Sequence, residues 1–268
     1  MKHEPHKSRF HDHEHAAEFD QRAAKSEIRA ELSEKLVDAL ALQGDELVLD
    51  LAAGTGRFAR AVAKKLKGGR VVGVDEALAM LRVGHEHEEP IPGYSQTAGE
   101  AGALPFKPNT FDRAFVSFSL HHFGKPAIVA REILRVLKQR GLFVVLDPVV
   151  KEARDSMDRL LEERINEVFR RTHGENFRFH SAASIRNLLT DAGFRIVRSD
   201  LPTYSFDQDG MEGIPTGRHW LEVAEELQIE SPELAQRLKE SYFRWERQAE
   251  TVHVRGRFCY ALVCGDKR

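Results

Sequence analysis

The chain opens on a charged, histidine-rich stretch and then settles into a helical period. Over residues 16–42, Ile28, Leu32, Leu36, Val37 and Leu40 recur on one face, and Gly44 ends the pattern. The period then changes. Leu47-Val48-Leu49 is a short apolar strand closed by Asp50 and a glycine-rich turn. Residues 58–66 predict a helix, 71–74 a second strand and 76–83 another helix. Residues 94–98 are a weak third strand and 111–118 a fourth. An amphipathic helix with proline in its first turn follows over 126–137, and then a fifth strand over 142–146. The unbroken apolar run Leu142-Phe143-Val144-Val145-Leu146 suits a strand covered on both faces.

Beyond Pro148 the pattern loosens. Residues 151–171 predict a charged helix, 184–192 a helix stopped by Gly193, and 194–197 a sixth strand. Residues 203–255 hold two helical stretches, over 218–227 and 232–248. A seventh strand over 258–263 closes the chain. Strands alternating with helices at short connections predict an α/β fold, a doubly wound, mostly parallel seven-stranded sheet. No repeat or low-complexity linker divides it. The expected organisation is a flexible His-rich tail over 1–15 and a single domain over 16–268. Its core spans 45–200 plus a final strand at 257–264, and its helical cap comes from 16–42, 151–173 and 203–255.

At 268 residues the chain is long enough for one large α/β domain. Its formal net charge of −2 lacks the basic excess of a nucleic-acid binder. No apolar run approaches the roughly 20 residues of a membrane span, and no apolar leader core precedes the first helix, so a cytoplasmic protein is expected. Cys259 and Cys264 fall on opposite faces of one strand, which fits core thiols in a reducing compartment and not a thiol pair on a metal. His11, His13 and His15 lack a cysteine or carboxylate cluster to complete a site, so no metal is expected.

The chemistry concentrates in residues 47–63, LVLDLAAGTGRFARAVA. Gly54 and Gly56 lie between a buried strand and a helix. Small residues there let backbone approach a ligand, and the new helix offers free N–H groups. Ligands of such sheets sit beyond the carboxyl ends of the strands, where strand order reverses. Asp75 ends the second strand, where a carboxylate can accept both hydroxyls of a ribose. Gly54-x-Gly56-x-x-Ala59 also fits a nicotinamide dinucleotide turn, so an NAD(P)-dependent oxidoreductase stands as an alternative. Asp50 argues against it, because an acid before the turn repels a pyrophosphate and attracts an ammonium.

Several ordered blocks make the reading more specific. LDLAAGTG at 49–56, VVGVDEALAML at 71–81, AGEAGALPFKPNTFDRAFVSFSLHHF at 98–123, REILRVLKQRGLFVVLDP at 131–148 and LLTDAGF at 188–194 follow one another in this order. Together they resemble the class I S-adenosylmethionine-dependent methyltransferases, within the small-molecule group that includes ubiquinone/menaquinone C-methylases. The stretch Phe19-Asp20-Gln21-Arg22-Ala23 resembles the helix that lids the cofactor in many members. Two positions depart: Ala52 stands where the family has its first turn glycine, and Glu100 where it often has an aspartate.

The resemblance implies S-adenosyl-L-methionine as methyl donor and S-adenosyl-L-homocysteine as product. It implies cofactor contacts at Asp50, Ala52, Gly54, Gly56, Asp75, Glu76, Met80, Glu100, Ala101 and Ser117. His121 and His122, after the fourth strand, are candidates for a general base, with Tyr204 behind them. His219 and Trp220 are candidates for the acceptor pocket. The aromatic residues of 203–255 suit a small apolar or aromatic acceptor and serve a helical core equally well. The same segment would cover the carboxyl ends of the strands or form a homodimer contact. A donor-binding protein of this fold without catalysis is the remaining alternative.

Overall fold

The computed structural model describes residues 9–86, 90–248 and 251–268. Two helices precede the sheet, α1 (His13–Ala24) and α2 (Glu27–Ala39). The continuous helix expected over 16–42 divides at Ser26, whose hydroxyl accepts from the Arg29 N–H and caps a new helix. The apolar stripe of α2 is buried as its spacing predicts. The tail expected over 1–15 is ordered from residue 9, and residues 1–8 lie outside the described residues. A short 3-10 turn (Arg9–His11) leads into α1, capped by Asp12, and Phe10 anchors it against the Phe19 and His122 rings at 5.5 and 5.6 Å.

Alternation of strand and helix then proceeds through β1 (Leu47–Leu51), α3 (Arg57–Ala63), β2 (Arg70–Asp75), α4 (Leu78–Glu86), β3 (Tyr94–Ala98), β4 (Phe111–Ser117), α5 (Pro126–Val136) and β5 (Leu137–Val150). There follow α6 (Ser156–His173), the two-residue β6 (His180–Ser181), α7 (Ala182–Ala192), β7 (Phe194–Asp200), β8 (Thr203–Asp209), α8 (Gly217–Glu230), α9 (Pro232–Ser241), β9 (Phe243–Arg247) and β10 (Val252–Lys267).

The sheet runs in the order β3-β2-β1-β4-β5-β10-β7. Its first five strands are parallel and β10 runs antiparallel to both β5 and β7. The order reverses between β1 and β4. Side chains alternate across the sheet. Val144 and Leu146 join Val48, Val71 and Phe115 on the face that carries α2 and α3. Phe143 and Val145 join Leu49, Val74 and Val116 under α5 and α7. That division explains the unbroken apolar run of β5. Cys264 belongs to the first face and Cys259 borders the second, both as free thiols.

The main path of the sheet holds the seven expected strands, and three further strands, β6, β8 and β9, pair with it from the side, making ten among the described residues. The first half of β10, from Val252 to Phe258, lies beyond β5 and pairs with β8 and β9 as an antiparallel ribbon. The helix expected over 232–248 ends at Ser241. After it, Phe243 and Trp245 turn inward while Arg244 and Glu246 face solvent, which is strand alternation. Helices α8 and α9 pack on α6. Among the described residues, no helix is long and apolar enough to cross a membrane.

Candidate active site

A cleft of about 1670 Å³ opens at the carboxyl ends of the parallel strands. That exceeds the ~300–1,000 Å³ usual for a single ligand and accommodates two molecules side by side. One end is formed by the turn after β1. Ala52 and Gly54 both hold a φ of 55° there and both line the cleft. A Cβ on Gly54 would lie 3.1 Å from the Met80 Cε, so glycine keeps the space between turn and methionine open.

Asp75, at the tip of β2, closes this end. Its Oδ2 accepts from the Gly54 N–H at 2.7 Å and its Oδ1 from the Ala77 N–H at 2.8 Å. Burial raises its pKa, against the pull of these two N–H groups. Glu76, Glu100, Ala101 and Ser117 also line the cleft, so most of the sequence-predicted residues converge.

Two do not reach it. Asp50 is 1% exposed behind the turn, and neither carboxylate oxygen meets a hydrogen-bond partner among the described residues. Burial pushes its pKa up, and the charge of Asp75 adds to that. Gly56 caps α3 at a φ of 82°, and a Cβ there would meet the Tyr94 hydroxyl at 2.1 Å. Its glycine answers to packing against β3 and to backbone conformation.

Helix α1 roofs this end. Ala16 packs with Ala77, Ala79, Met80 and Val83. Asp20, almost wholly buried, accepts from the Thr55 hydroxyl at 2.6 Å and from Arg57 Nε and Nη2 at 2.7 and 2.6 Å. The roof is thereby tied to the glycine turn.

The other end is aromatic. His121 and His122 follow β4 in a 3-10 turn, and Phe177, Phe179, Trp220, Phe258 and Tyr260 face the same space. His121 Nδ1 lies 2.8 Å from Asp147 Oδ2, and Asp147 Oδ1 accepts from the Leu120 N–H at 3.2 Å. Burial drives the His121 pKa down to about 3, with His173 and Arg29 adding to it. His122 falls well below its ordinary range, again chiefly by burial. Both imidazoles are therefore neutral at neutral pH. Burial pushes Asp147 up to about 8, opposed by His180 and by backbone N–H groups.

Trp220 lines the cleft and also stacks on Phe258 at 4.8 Å. His219 packs behind it, against His173 at 4.8 Å. Tyr204 does not line the cleft; it stacks on Phe206 at 6.4 Å in the ribbon. Sequence reasoning missed Arg29, Phe118, Asp147, His173, Phe177 and Tyr260, all within this half. Only Asp147 left a readable sign, as an acid ending an apolar strand. Among the described residues, no group of histidine, cysteine and carboxylate side chains could hold a metal ion.

A doubly wound sheet with an acid-tipped second strand, a bend of small residues and a cleft at the switch point defines a nucleoside-binding architecture. The methyltransferase domain model matches residues 49–145. A ubiquinone/menaquinone biosynthesis C-methyltransferase of Hydrogenovibrio crunogenus is 31% identical over 177 residues, 59% of this chain and 69% of that protein. A demethylmenaquinone methyltransferase of Corynebacterium kroppenstedtii is 43% identical over 102 residues, 38% of this chain and 42% of that protein. The chain thus spans less than half the length of the first curated relatives it matches. A candidate methyltransferase of Bacillus halodurans superposes with a TM-score of 0.70 at 24% identity, covering 88% of this chain and 98% of that one, which shows the fold. The chain belongs to the class I S-adenosylmethionine-dependent methyltransferases and resembles their ubiquinone/menaquinone C-methylating members. Membership sets aside the oxidoreductase reading of the glycine turn.

Proposed function

We propose that this protein transfers a methyl group from S-adenosylmethionine to a small apolar or aromatic molecule. The observation that carries this is the single cleft, with Asp75 and the Gly54 turn at one end and an aromatic chamber containing His121 at the other. The residues present fit the donor. Asp75 would take the ribose hydroxyls, with Glu76 beside it. Glu100 and the Ala101 N–H would take the adenine edge, and Met80 its face. Ala52 and Gly54 would admit the methionine portion, with Ser117 facing it. Asp50, buried behind the turn, would act on the donor's ammonium by its field and not by contact, and that ammonium would in turn favour its ionised form.

The donor supplies an electrophilic methyl on a positively charged sulfur that leaves neutral. What remains for the chain is alignment and exclusion of water, which can supply roughly 7–11 kcal/mol. With Nδ1 held by Asp147, the second nitrogen of His121 is the one left to take a proton from the acceptor. That step needs Asp147 ionised, so that it accepts from Nδ1–H and stabilises the imidazolium as a triad carboxylate does; with a pKa near 8 it reaches this form as pH rises through 8. His122 would wall the chamber, its ring 4.3 Å from that of His121.

Calorimetric titration with S-adenosylhomocysteine tests the reading. The wild type should bind it, and Asp75→Asn should weaken binding about tenfold or more, roughly 1.4 kcal/mol per decade. Unchanged affinity in that variant would remove Asp75 from the donor site.

A further inference from the structure

The cleft contains a cation that no carboxylate among the described residues neutralises. Arg29 lies in the first turn of α2 and lines the cleft. Its guanidinium carbon sits 4.3 Å from the centroid of the Phe118 ring and 5.2 Å from that of Phe19. No described carboxylate pairs with it. Arg57 and Arg171, which also line the cleft, differ in this respect, since Arg57 is held by Asp20 and Arg171 by Glu167 and Glu226. Burial lowers the Arg29 pKa to about 10, so it stays charged at neutral pH. A half-buried cation without a counter-charge is one that a bound anion would stabilise.

A hydrogen-bond donor accompanies it. The Tyr260 ring lies 5.6 Å from the same Phe118 ring and also lines the cleft. Its hydroxyl bonds to no other described residue. Burial pushes its pKa up, so the hydroxyl keeps its proton and can donate. Phe118, the platform between the two, holds a φ of 53°, a left-handed conformation unusual for a bulky side chain.

Strand order sets which end of the cleft this group faces. Phe118 follows β4 and Tyr260 belongs to β10, whereas the glycine turn and Asp75 belong to β1 and β2, on the other side of β4. We propose that Arg29 and the Tyr260 hydroxyl bind an ionised oxygen of the methyl acceptor, so that the preferred acceptor is an aromatic ring system bearing a carboxylate. A guanidinium with a neighbouring hydroxyl suits such an oxygen, and the surrounding rings suit the remainder of the molecule. This rests on the methyltransferase reading above and specifies its acceptor.

The test uses the full chain saturated with S-adenosylhomocysteine and two probes of one shape, 2-naphthoate and its neutral counterpart 2-naphthamide. Calorimetry should show the wild type preferring naphthoate at least tenfold. Arg29→Met should abolish the preference, Arg29→Lys should retain part of it, and Tyr260→Phe should reduce it a few-fold. Thermal melts should show Arg29→Met folded, because it removes no ion pair. Equal affinity for the two probes, no binding of naphthoate, or a preference that survives Arg29→Met overturns the proposal. A further arm compares S-adenosylhomocysteine with 5′-methylthioadenosine, which lacks the amino-acid end. If Arg29→Met weakens only the former, the guanidinium belongs to the donor's carboxylate and the proposal fails. If the wild type binds no S-adenosylhomocysteine, the methyltransferase reading falls and the proposal with it; every other failure removes the proposal alone.

Discussion

Ala52 takes a left-handed φ of 55° at the first bend of the donor turn. For a residue with a Cβ that conformation costs roughly 1–2 kcal/mol. Glycine would adopt it freely but would lose about 0.5–1 kcal/mol through the flexibility of the unfolded chain. Ala52→Gly should therefore be neutral to stabilising, by up to about 1 kcal/mol. Urea unfolding measures this, and a loss of more than that amount would show that the methyl group packs usefully. His122 offers a second measurement. Its pKa is depressed by burial, with His121 and His173 pushing the same way. The unfolded chain takes up this proton near pH 6.5 and the folded chain does not. The stability it contributes is complete above about pH 6.5 and is lost as pH falls below that value. His121 behaves alike, with its folded pKa near 3. Asp147 runs the other way: its folded pKa near 8 favours folding as pH drops from 8 toward the ordinary carboxylate range. Replacing His122 alone isolates one contribution. The melting temperature of His122→Phe should fall less between pH 7 and pH 5 than that of the wild type. Parallel curves would mean that the ring is hydrated.

Among the elements, α1 is held by a latch whose strength can be measured. Asp20 is 2% exposed and binds Arg57 through both oxygens while accepting from Thr55. Removing one partner of a buried ion pair costs about 3–5 kcal/mol. Asp20→Ala should lose about 3 kcal/mol and should also weaken S-adenosylhomocysteine, since the helix roofs the donor end. Stability lost with donor affinity intact would make the latch purely structural. The same elements show what the sequence makes legible. Strands β1, β2, β4 and β5 were readable because each holds a compact apolar run, and their bends carry glycine or acid, whereas β3, Tyr94-Ser95-Gln96-Thr97-Ala98, gave only a weak signal. Asp75, Gly54 and Glu100 were findable because they stand at fixed offsets from those runs. The ribbon was not readable. Its strands are half-exposed and rich in charge, and Phe243 to Arg247 continues a helix without a break signal except the change of period at Ser241. Arg29 looked like an ordinary polar position of an amphipathic helix. Nothing in its spacing says that Phe118, 89 positions on, will bring an aromatic ring beneath it.

Across the whole molecule, the two ends of the cleft are built by different parts of the chain. The donor end belongs to α1 and to the strands and turns between β1 and β3, a stretch held by parallel pairing and nearby helices. The acceptor end gathers His121 from the turn after β4, α6's His173, α8's Trp220 and β10's Tyr260, so it depends on contacts between segments far apart in sequence. The two halves share only the β4–β5 centre of the sheet. A ligand that binds the folded state slows local opening of the elements it ties together. S-adenosylhomocysteine alone should therefore protect amides of α1, of the turn over residues 52–56 and of α4 from hydrogen exchange, while leaving α8 and the β8–β9 ribbon unchanged. Addition of an aromatic acid should then protect α6, α8 and β10. Protection that spreads to the ribbon with the donor alone would show that the cap closes as one unit before any acceptor arrives, and would remove the division of the cleft into separately ordered halves.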